Sequence, residues 1–598
     1  MLLLALVTSV STWILLPRDA ALTAITPTTQ PEALSAYQTM TTTQALTDVA
    51  KSNPFKPNPP PVSPLSAKPT PQKGGILRQA VDQDADTLNP LLTANRTSQL
   101  VADQLFPSLL GIDAQTGLIT TTELAESWTV TDSGPAAGRV YTFHLRHTIF
   151  WSDGQPVTAQ DVKFTYAALA NPAVQSPFRD NVEQIEKLET PDAQTVIVTF
   201  RTGNCAAPHL LHQPLLPSHH YAADFSDIQS NPLNQAPTVS AGPFLFEKWT
   251  PGSEISLKRN PLYWQGAPLL DGWRFDVIAD AQAQLQGLFG GRLDLIQVKP
   301  ALVKKLAFEP TFGAYRAPSK GYSFIALNLA DPTQPQPGQD ADGALIAQAS
   351  HPILGDLRVR QALSHALDYT RIISDVYPEN GERVTSYLPP STPWTQDSTL
   401  QPPAFDPTAA QQLLDQAGWV DENQDGIREK AGLSLTLTLL TNNDSPPRVR
   451  IGELVQEQLK PLGFDIHFQA VDFAQLRDTL LNQTYDMVII GWDNVGPDPA
   501  TSNFWHSRAD TPGTGTNFVS FQDAEVDQWL DEADQWPGCS VANRTQRYRQ
   551  IQQRLAELTP YIFIGSQPTT WAFTSALRGQ LPGPWRVDNQ VQAWWMVK

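Results

Sequence analysis

The side chains best suited to chemistry are concentrated in residues 491–499, Gly-Trp-Asp-Asn-Val-Gly-Pro-Asp-Pro. Carboxylates at Asp493 and Asp498, the carboxamide of Asn494 and the indole of Trp492 all fall in this short stretch. Trp492, with Phe504 and Trp505 close behind, offers broad contact to side chains or sugar faces with little rotamer entropy to lose. If the segment is extended, Asp493 and Val495 share one face. Core packing is the competing reading for Trp492 and Trp505. Acid–base catalysis is the competing reading for the pair Asp493/Asp498, and its outcome depends on the carboxylate separation.

Other clusters carry weaker signals. Asp421, Asn423 and Asp425, with Gly426 at the sixth position, resemble the start of a calcium loop, but the twelfth position is Gly432 where a bidentate Glu is needed. A polar hairpin is the simpler expectation. His209, His212, His219 and His220 could approach a metal, but Pro214 and Pro217 between them break any single helical face, so their spacing is not diagnostic. The 2 cysteines, Cys205 and Cys539, are too few for a thiolate zinc or iron–sulfur centre. In an exported chain they would form a disulfide if the fold brought their Cα atoms within reach. There is no Gly-x-Ser-x-Gly elbow and no His-Glu-x-x-His helix, which disfavours common hydrolase chemistries.

Residue patterns predict the elements that must position these groups. Val140–Arg146 and Gln194–Arg201 alternate as strands, and Ala159–Leu169 reads as a helix capped by Thr158 with Asp161 in its first turn. Further on, strands are expected at Tyr322–Leu329, Leu433–Leu440, Asp465–Ala470 and Asp486–Gly491. Helices at Arg448–Leu462, ending at Gly463, and around Phe473–Leu481 are interleaved with them. Strand alternating with helix argues for an α/β sheet covered by helices.

The 598 residues carry 41 Lys+Arg against 60 Asp+Glu, a formal charge of −19, which argues against nucleic acid as a partner. The 52 prolines are enriched between Pro17 and Gly74, a Thr/Pro/Ser-rich stretch that cannot bury a core and reads as a linker over residues 20–74. Ahead of it, the apolar run Leu2–Leu16 is shorter than the ~20 residues of a straight membrane span and reads as a signal peptide, or a short anchor, over residues 1–19.

Trp151-Ser152-Asp153-Gly154-Gln155-Pro156-Val157-Thr158 through Val162 resembles the signature segment of family 5 extracellular solute-binding proteins, the peptide-binding components of ABC importers. Asp86–Pro90, Leu216–His220, Ser240–Phe244, Lys258–Trp264, Gly291–Leu295, Arg358–Asp368, Ala417–Trp419 and the 491–499 segment follow in the family's order. The resemblance implies a two-lobed α/β fold of the type II periplasmic-binding-protein kind: lobe I over 75–318 with an extra subdomain at about 95–205, lobe II over 319–560, and a return to lobe I over 561–598. It further implies hinge closure over a solute.

In similar peptide-binding members the fifth residue of the 491–499 segment is an aspartate that pairs with the peptide's α-amino group. Here that position is Val495, and Asp493 is the candidate replacement. The resemblance thus implies an extracytoplasmic, non-catalytic, monomeric receptor that needs no cofactor, takes a peptide through Trp492, Asp493, Asn494, Val495, Asp498 and Trp505, and delivers it to an ABC permease. A sugar or other non-peptide solute is the alternative, and an exported hydrolase the more distant one.

Overall fold

The computed structural model describes residues 70–597 apart from 132–133, 135–136, 307–311 and 502–503. The expected export segment and nearly all of the expected linker lie outside the described residues. No helix among the described residues is long and apolar enough to cross a membrane.

Two sheets organise the chain. The first has seven strands, in the order Phe312–Ala317, Thr569–Thr574, Leu295–Val298, Ile76–Val81, Gly272–Val277, Glu254–Arg259, Phe244–Thr250. The second has six, in the order Glu382–Arg383, Tyr561–Ser566, Tyr322–Leu327, Met487–Trp492, Thr436–Asn442, Asp465–Val471. A separate four-stranded sheet, Ala125–Val130, Val140–Leu145, Thr195–Phe200 and Ile185–Asp192, shares one apolar core with the first. This is an α/β fold of two lobes.

The second sheet is covered on both faces because side chains alternate along each strand. In Tyr322–Leu327, residues Ile325 and Leu327 enter the core built on helices Leu357–His365 and Pro446–Leu459, whereas Tyr322, Phe324 and Ala326 enter the one built on Ala524–Asp534 and Val541–Leu558. The strand is thus an almost unbroken apolar run, as burial on two faces requires. Thr436–Asn442 and Asp465–Val471 pair in parallel across Pro446–Leu459, and the turn that follows this helix closes at Gly463, where φ is 86°, a conformation that glycine adopts without a Cβ penalty.

In the first lobe, Thr158 caps Ala159–Ala170 in a capping box with Asp161. The expected strand Leu433–Leu440 is two pieces. Leu433–Ser434 pairs with Glu429–Lys430 in a surface hairpin, and only Thr436–Asn442 enters the sheet, because Leu433 and Ser434 lie exposed beyond its edge.

The chain crosses between the lobes twice. Phe312–Ala317 lies in the first sheet and Tyr322–Leu327 in the second, joined by residues 318–321. Tyr561–Ser566 is still in the second sheet and Thr569–Thr574 is back in the first, so the return falls at residues 567–568, a few positions later than the expected boundary at 561. A run such as Tyr-Ile-Phe-Ile-Gly-Ser does not reveal which sheet it joins.

Cys205, just after the strand Thr195–Phe200, is disulfide-bonded to Cys539, which sits between Ala524–Asp534 and Val541–Leu558. The bond therefore ties the first lobe to the second. Beside it, the Cys205 N–H donates to the Asp534 carbonyl at 2.8 Å.

Candidate functional site

A cavity of about 690 Å³ opens where the two crossings meet. Its first-lobe wall is one face of the helix Arg96–Leu105. This helix starts at Asn95, whose side chain accepts the Ser98 N–H at 3.1 Å. Arg96, Gln99, Leu100 and Asp103, spaced three and four apart, share the face that looks into the cavity, while Val101, Ala102 and Leu105 pack into the core. The facing wall comes from the crossing segment around Lys320 and from Tyr322, Trp492, Asp493 and Asn494 of the second lobe. Trp571 and Trp585 complete it.

Two cations dominate the cavity. The Arg96 guanidinium lies 5.7 Å from the Trp571 ring and the Lys320 ammonium 4.7 Å from the Trp585 ring. Neither has a carboxylate within ion-pair distance among the described residues. Burial, and then the charge of Arg96, hold Lys320 down to about 8.

The negative side is different. Asp493 is 88% exposed, with the Arg448 guanidinium 4.0 Å away. Asp103 makes no hydrogen bond among the described residues. Burial lifts its carboxyl to about 6, against the pull of Arg586 and with repulsion from Asp588 adding to the rise. Arg586 is shared by three acids. It is paired with Asp588 at 3.1 Å and lies 3.9 Å from Glu123, whose carboxyl burial pushes up to about 7 despite Arg586. One guanidinium cannot satisfy three carboxylates, so Asp103 and Glu123 rise while Asp588, bonded also to Gln104, stays low.

The sequence-derived candidates separate in space. Trp492, Asp493 and Asn494 line the cavity. The strand ends at Trp492 and the chain bends at Asp493, so Asp493 and Val495 do not share a face: Asp493 is exposed, whereas Val495 is buried in the second-lobe core. The Val495 N–H donates to the Lys320 carbonyl at 2.9 Å, docking this loop onto the crossing segment. Gly321 permits the approach, because a Cβ there would lie 1.9 Å from the Trp492 carbonyl oxygen.

Asp498 is placed away from the cavity. It is 1% exposed and pairs bidentately with Arg544, at 2.5 and 2.9 Å, an arrangement that holds its carboxyl low despite burial. Trp505 is fully buried against Tyr387, Phe521 and Tyr561, a packing position.

The 421–429 loop closes on its own hydrogen bonds. Asp421 accepts the Gly426 N–H at 3.1 Å, and the Asn423 amide donates to Asp425 at 3.0 Å and Glu429 at 3.1 Å. The Asn423 amide nitrogen thus faces both carboxylates, and these bonds link the two arms of the loop. The four histidines divide into two groups. His209 and His212 bond the carbonyls of Gly117 and Leu110, and burial brings His212 down to about 4. His219 and His220 meet at Asp153.

Arg96, Asp103 and Lys320 were not singled out from the sequence. The spacing Arg96, Gln99, Leu100, Asp103 carries a signal, a partly polar stripe on a helix otherwise buried, but Lys320 and Trp585 carry none. Only the crossings bring them together.

A two-lobed frame spanned by two connections, with a solute-sized cavity at the connections, defines a hinged binding protein. Residues 120–512 match the middle region of bacterial extracellular solute-binding proteins, family 5, and the chain belongs to that family. It is 28% identical over 539 residues to the oligopeptide-binding protein AppA of Bacillus subtilis, covering 88% of this chain and 93% of that protein. A probable ABC transporter-binding protein of Deinococcus radiodurans is also 28% identical, over 86% of this chain and 90% of its own length. Among solved structures, B. subtilis AppA in complex with a nonapeptide matches with TM-score 0.60 at 26% identity, over 88% of this chain and all of that one (100%). HbpA2 from Haemophilus parasuis matches in fold with TM-score 0.73 at 20% identity, over 88% of this chain and 100% of that one.

Proposed function

We propose that the protein binds peptides in the cavity between its lobes and delivers them, without chemical change, to the membrane permease of an ABC import system. It acts as a monomer outside the cytoplasm, tethered by its N-terminal segment. The observation that carries the ligand reading is the polarity of the cavity. Arg96 and Lys320 offer two cations with no carboxylate within ion-pair distance among the described residues, while Asp493 and Asp103 offer carboxylates on opposite walls. An ionised peptide carries both complementary charges, and the rings of Trp571, Trp585 and Trp492 accept its side chains. Asp493 takes the α-amino group, the role that Val495 cannot fill, and Lys320 with Arg96 takes a carboxylate. The oligopeptide named for the AppA relative supports the same class of solute.

Calorimetry with free, N-acetylated and C-amidated peptides tests this. Free peptides should bind saturably, N-acetylation should weaken binding, and Asp493→Asn should erase the difference. Equal affinity of free and acetylated peptides rejects the ammonium site, and silence from all peptides alongside a sugar signal rejects the peptide reading. Prolonged incubation should leave the peptide intact.

A further inference from the structure

Away from the cavity, two loops of the first lobe bring three metal-ligating side chains to one point. Asp153 sits in the tight turn after Trp151, closed by the Gly154 N–H donating to the Trp151 carbonyl at 2.9 Å, with Gly154 at φ 89°. His219 and His220 lie in the single helical turn Ser218–His220. Their Nε2 atoms stand 2.7 and 3.0 Å from the same oxygen, Oδ2 of Asp153, with ring centroids 4.4 Å apart.

We propose that Asp153, His219 and His220 form a surface site for a divalent transition metal, with zinc the cation this donor set suits best. Two imidazole nitrogens and one carboxylate oxygen are borderline donors typical of zinc. Metal–ligand bonds of about 2.0–2.2 Å in tetrahedral geometry place donors roughly 3.3 Å apart. The two Nε2–Oδ2 spacings, 2.7 and 3.0 Å, are tighter by roughly 0.6 and 0.3 Å, all three donor atoms lie within 4.8 Å of one another, and rotation of these exposed side chains can open the set. Three protein ligands leave the fourth position to water.

The convergence is built from beneath. Asp161, 2% exposed, accepts the Thr158 N–H at 2.9 Å through one oxygen, and the Ser218 N–H and hydroxyl at 2.9 and 2.7 Å through the other. One buried carboxylate thus anchors both the helix that follows the Asp153 turn and the start of the histidine turn. The Ser152 N–H, donating to the Ser240 carbonyl at 2.8 Å, fixes the other flank. Oδ1 of Asp153 accepts the Gln155 N–H at 3.1 Å, which leaves Oδ2 to the imidazoles. On binding, Nε2 of each neutral imidazole takes the cation, the ring's single proton sits on Nδ1, and any excess proton is released to solvent. The metal would clip the 151–156 turn to the 218–220 loop.

The test titrates the full chain, purified with chelator, with zinc chloride by calorimetry, and with cobalt(II) by visible absorption, where tetrahedral coordination has its own bands. One equivalent of each should bind, and zinc should raise the melting temperature. His219→Gln, His220→Gln and Asp153→Asn should each weaken binding by more than the ~10–100-fold typical of losing an outer-shell partner. The melting temperature of each metal-free variant should stay near that of the parent, and the control His467→Ala should bind as the parent does. No saturable binding, or binding that survives in His219→Gln/His220→Gln, would overturn the site. The histidines are exposed, so the variants are expected to fold. Should Asp153→Asn disturb its turn, the two histidine variants decide alone.

Discussion

Replacing Asp498 by Asn separates a structural carboxylate from a ligand-binding one. In the native protein Asp498 and Arg544 are 1% and 3% exposed by side chain. The guanidinium also donates to the Ala533 carbonyl at 2.8 Å and the Tyr548 hydroxyl at 3.0 Å. Removing one charge from such a pair leaves the other buried and uncompensated, which costs about 3–5 kcal/mol. A second carboxyl stands by. Asp534 is pushed up to about 8 by burial, against the attraction of Arg544 and with Asp498 adding repulsion.

With Asp498 neutral, that repulsion is gone and Asp534 ionises at lower pH, partly restoring a partner for Arg544. Urea unfolding followed by tryptophan fluorescence should therefore show the full loss for Asp498→Asn/Asp534→Asn. The loss for Asp498→Asn alone should be smaller, and smaller at pH 9 than at pH 6. Asp498→Leu with Arg544→Met should cost less than Asp498→Asn/Asp534→Asn, since no charge is then stranded. Ligand affinity should not change in any of these. Variants all within ~1 kcal/mol of the parent would refute the buried-pair argument, and a loss of affinity at unchanged stability would put Asp498 in the binding site after all.

Asp510, 1% exposed and bonded to Gln483 at 2.6 Å, is raised by burial to about 7. Its unfolded counterpart titrates near 4, so between about pH 4 and 7 the native state holds a proton that the unfolded chain has lost, and this group's contribution to stability falls as pH rises. The melting temperature of Asp510→Asn relative to the parent should therefore climb from pH 4.5 to 8, and a constant difference would contradict the assignment. Cys205→Ser/Cys539→Ser removes a cross-link between residues 334 apart in sequence. It should cost about 2–4 kcal/mol of stability. Because the bond joins the lobes, the variant should also release ligand faster and show a larger radius of gyration by X-ray scattering. Unchanged dissociation and size would mean that the bond does not restrain opening.

Much of the framework was legible because it is locally encoded. The helix after Thr158 appears with its cap and Asp161 in place, and the expected helix Phe473–Leu481 has those bounds in the structure, since capping chemistry and apolar periodicity act over a few residues. The Leu433–Leu440 run misled because alternation marks an extended chain without saying which partner it pairs with. The 491–499 segment was half legible. Trp492, Asp493 and Asn494 reach the cavity, but a bend at Asp493 reverses the side-chain alternation on which its equivalence with Val495 depended.

The sequence by itself determined the class of the protein, the strands and helices that local pattern marks in the 140–201 and 322–491 regions, and three of the residues that line the cavity. All of these reside in residue type and short-range spacing. The tertiary structure alone decided that Asp498 is half of a buried ion pair, that Cys205 and Cys539 join two lobes, and that Arg96 and Lys320 face the same cavity from different elements. It also brought Asp153 to His219 and His220. Each of these depends on which distant segments share a desolvated volume or a common oxygen, and such proximity is set by how sheets and crossings pack, beyond what any local pattern carries.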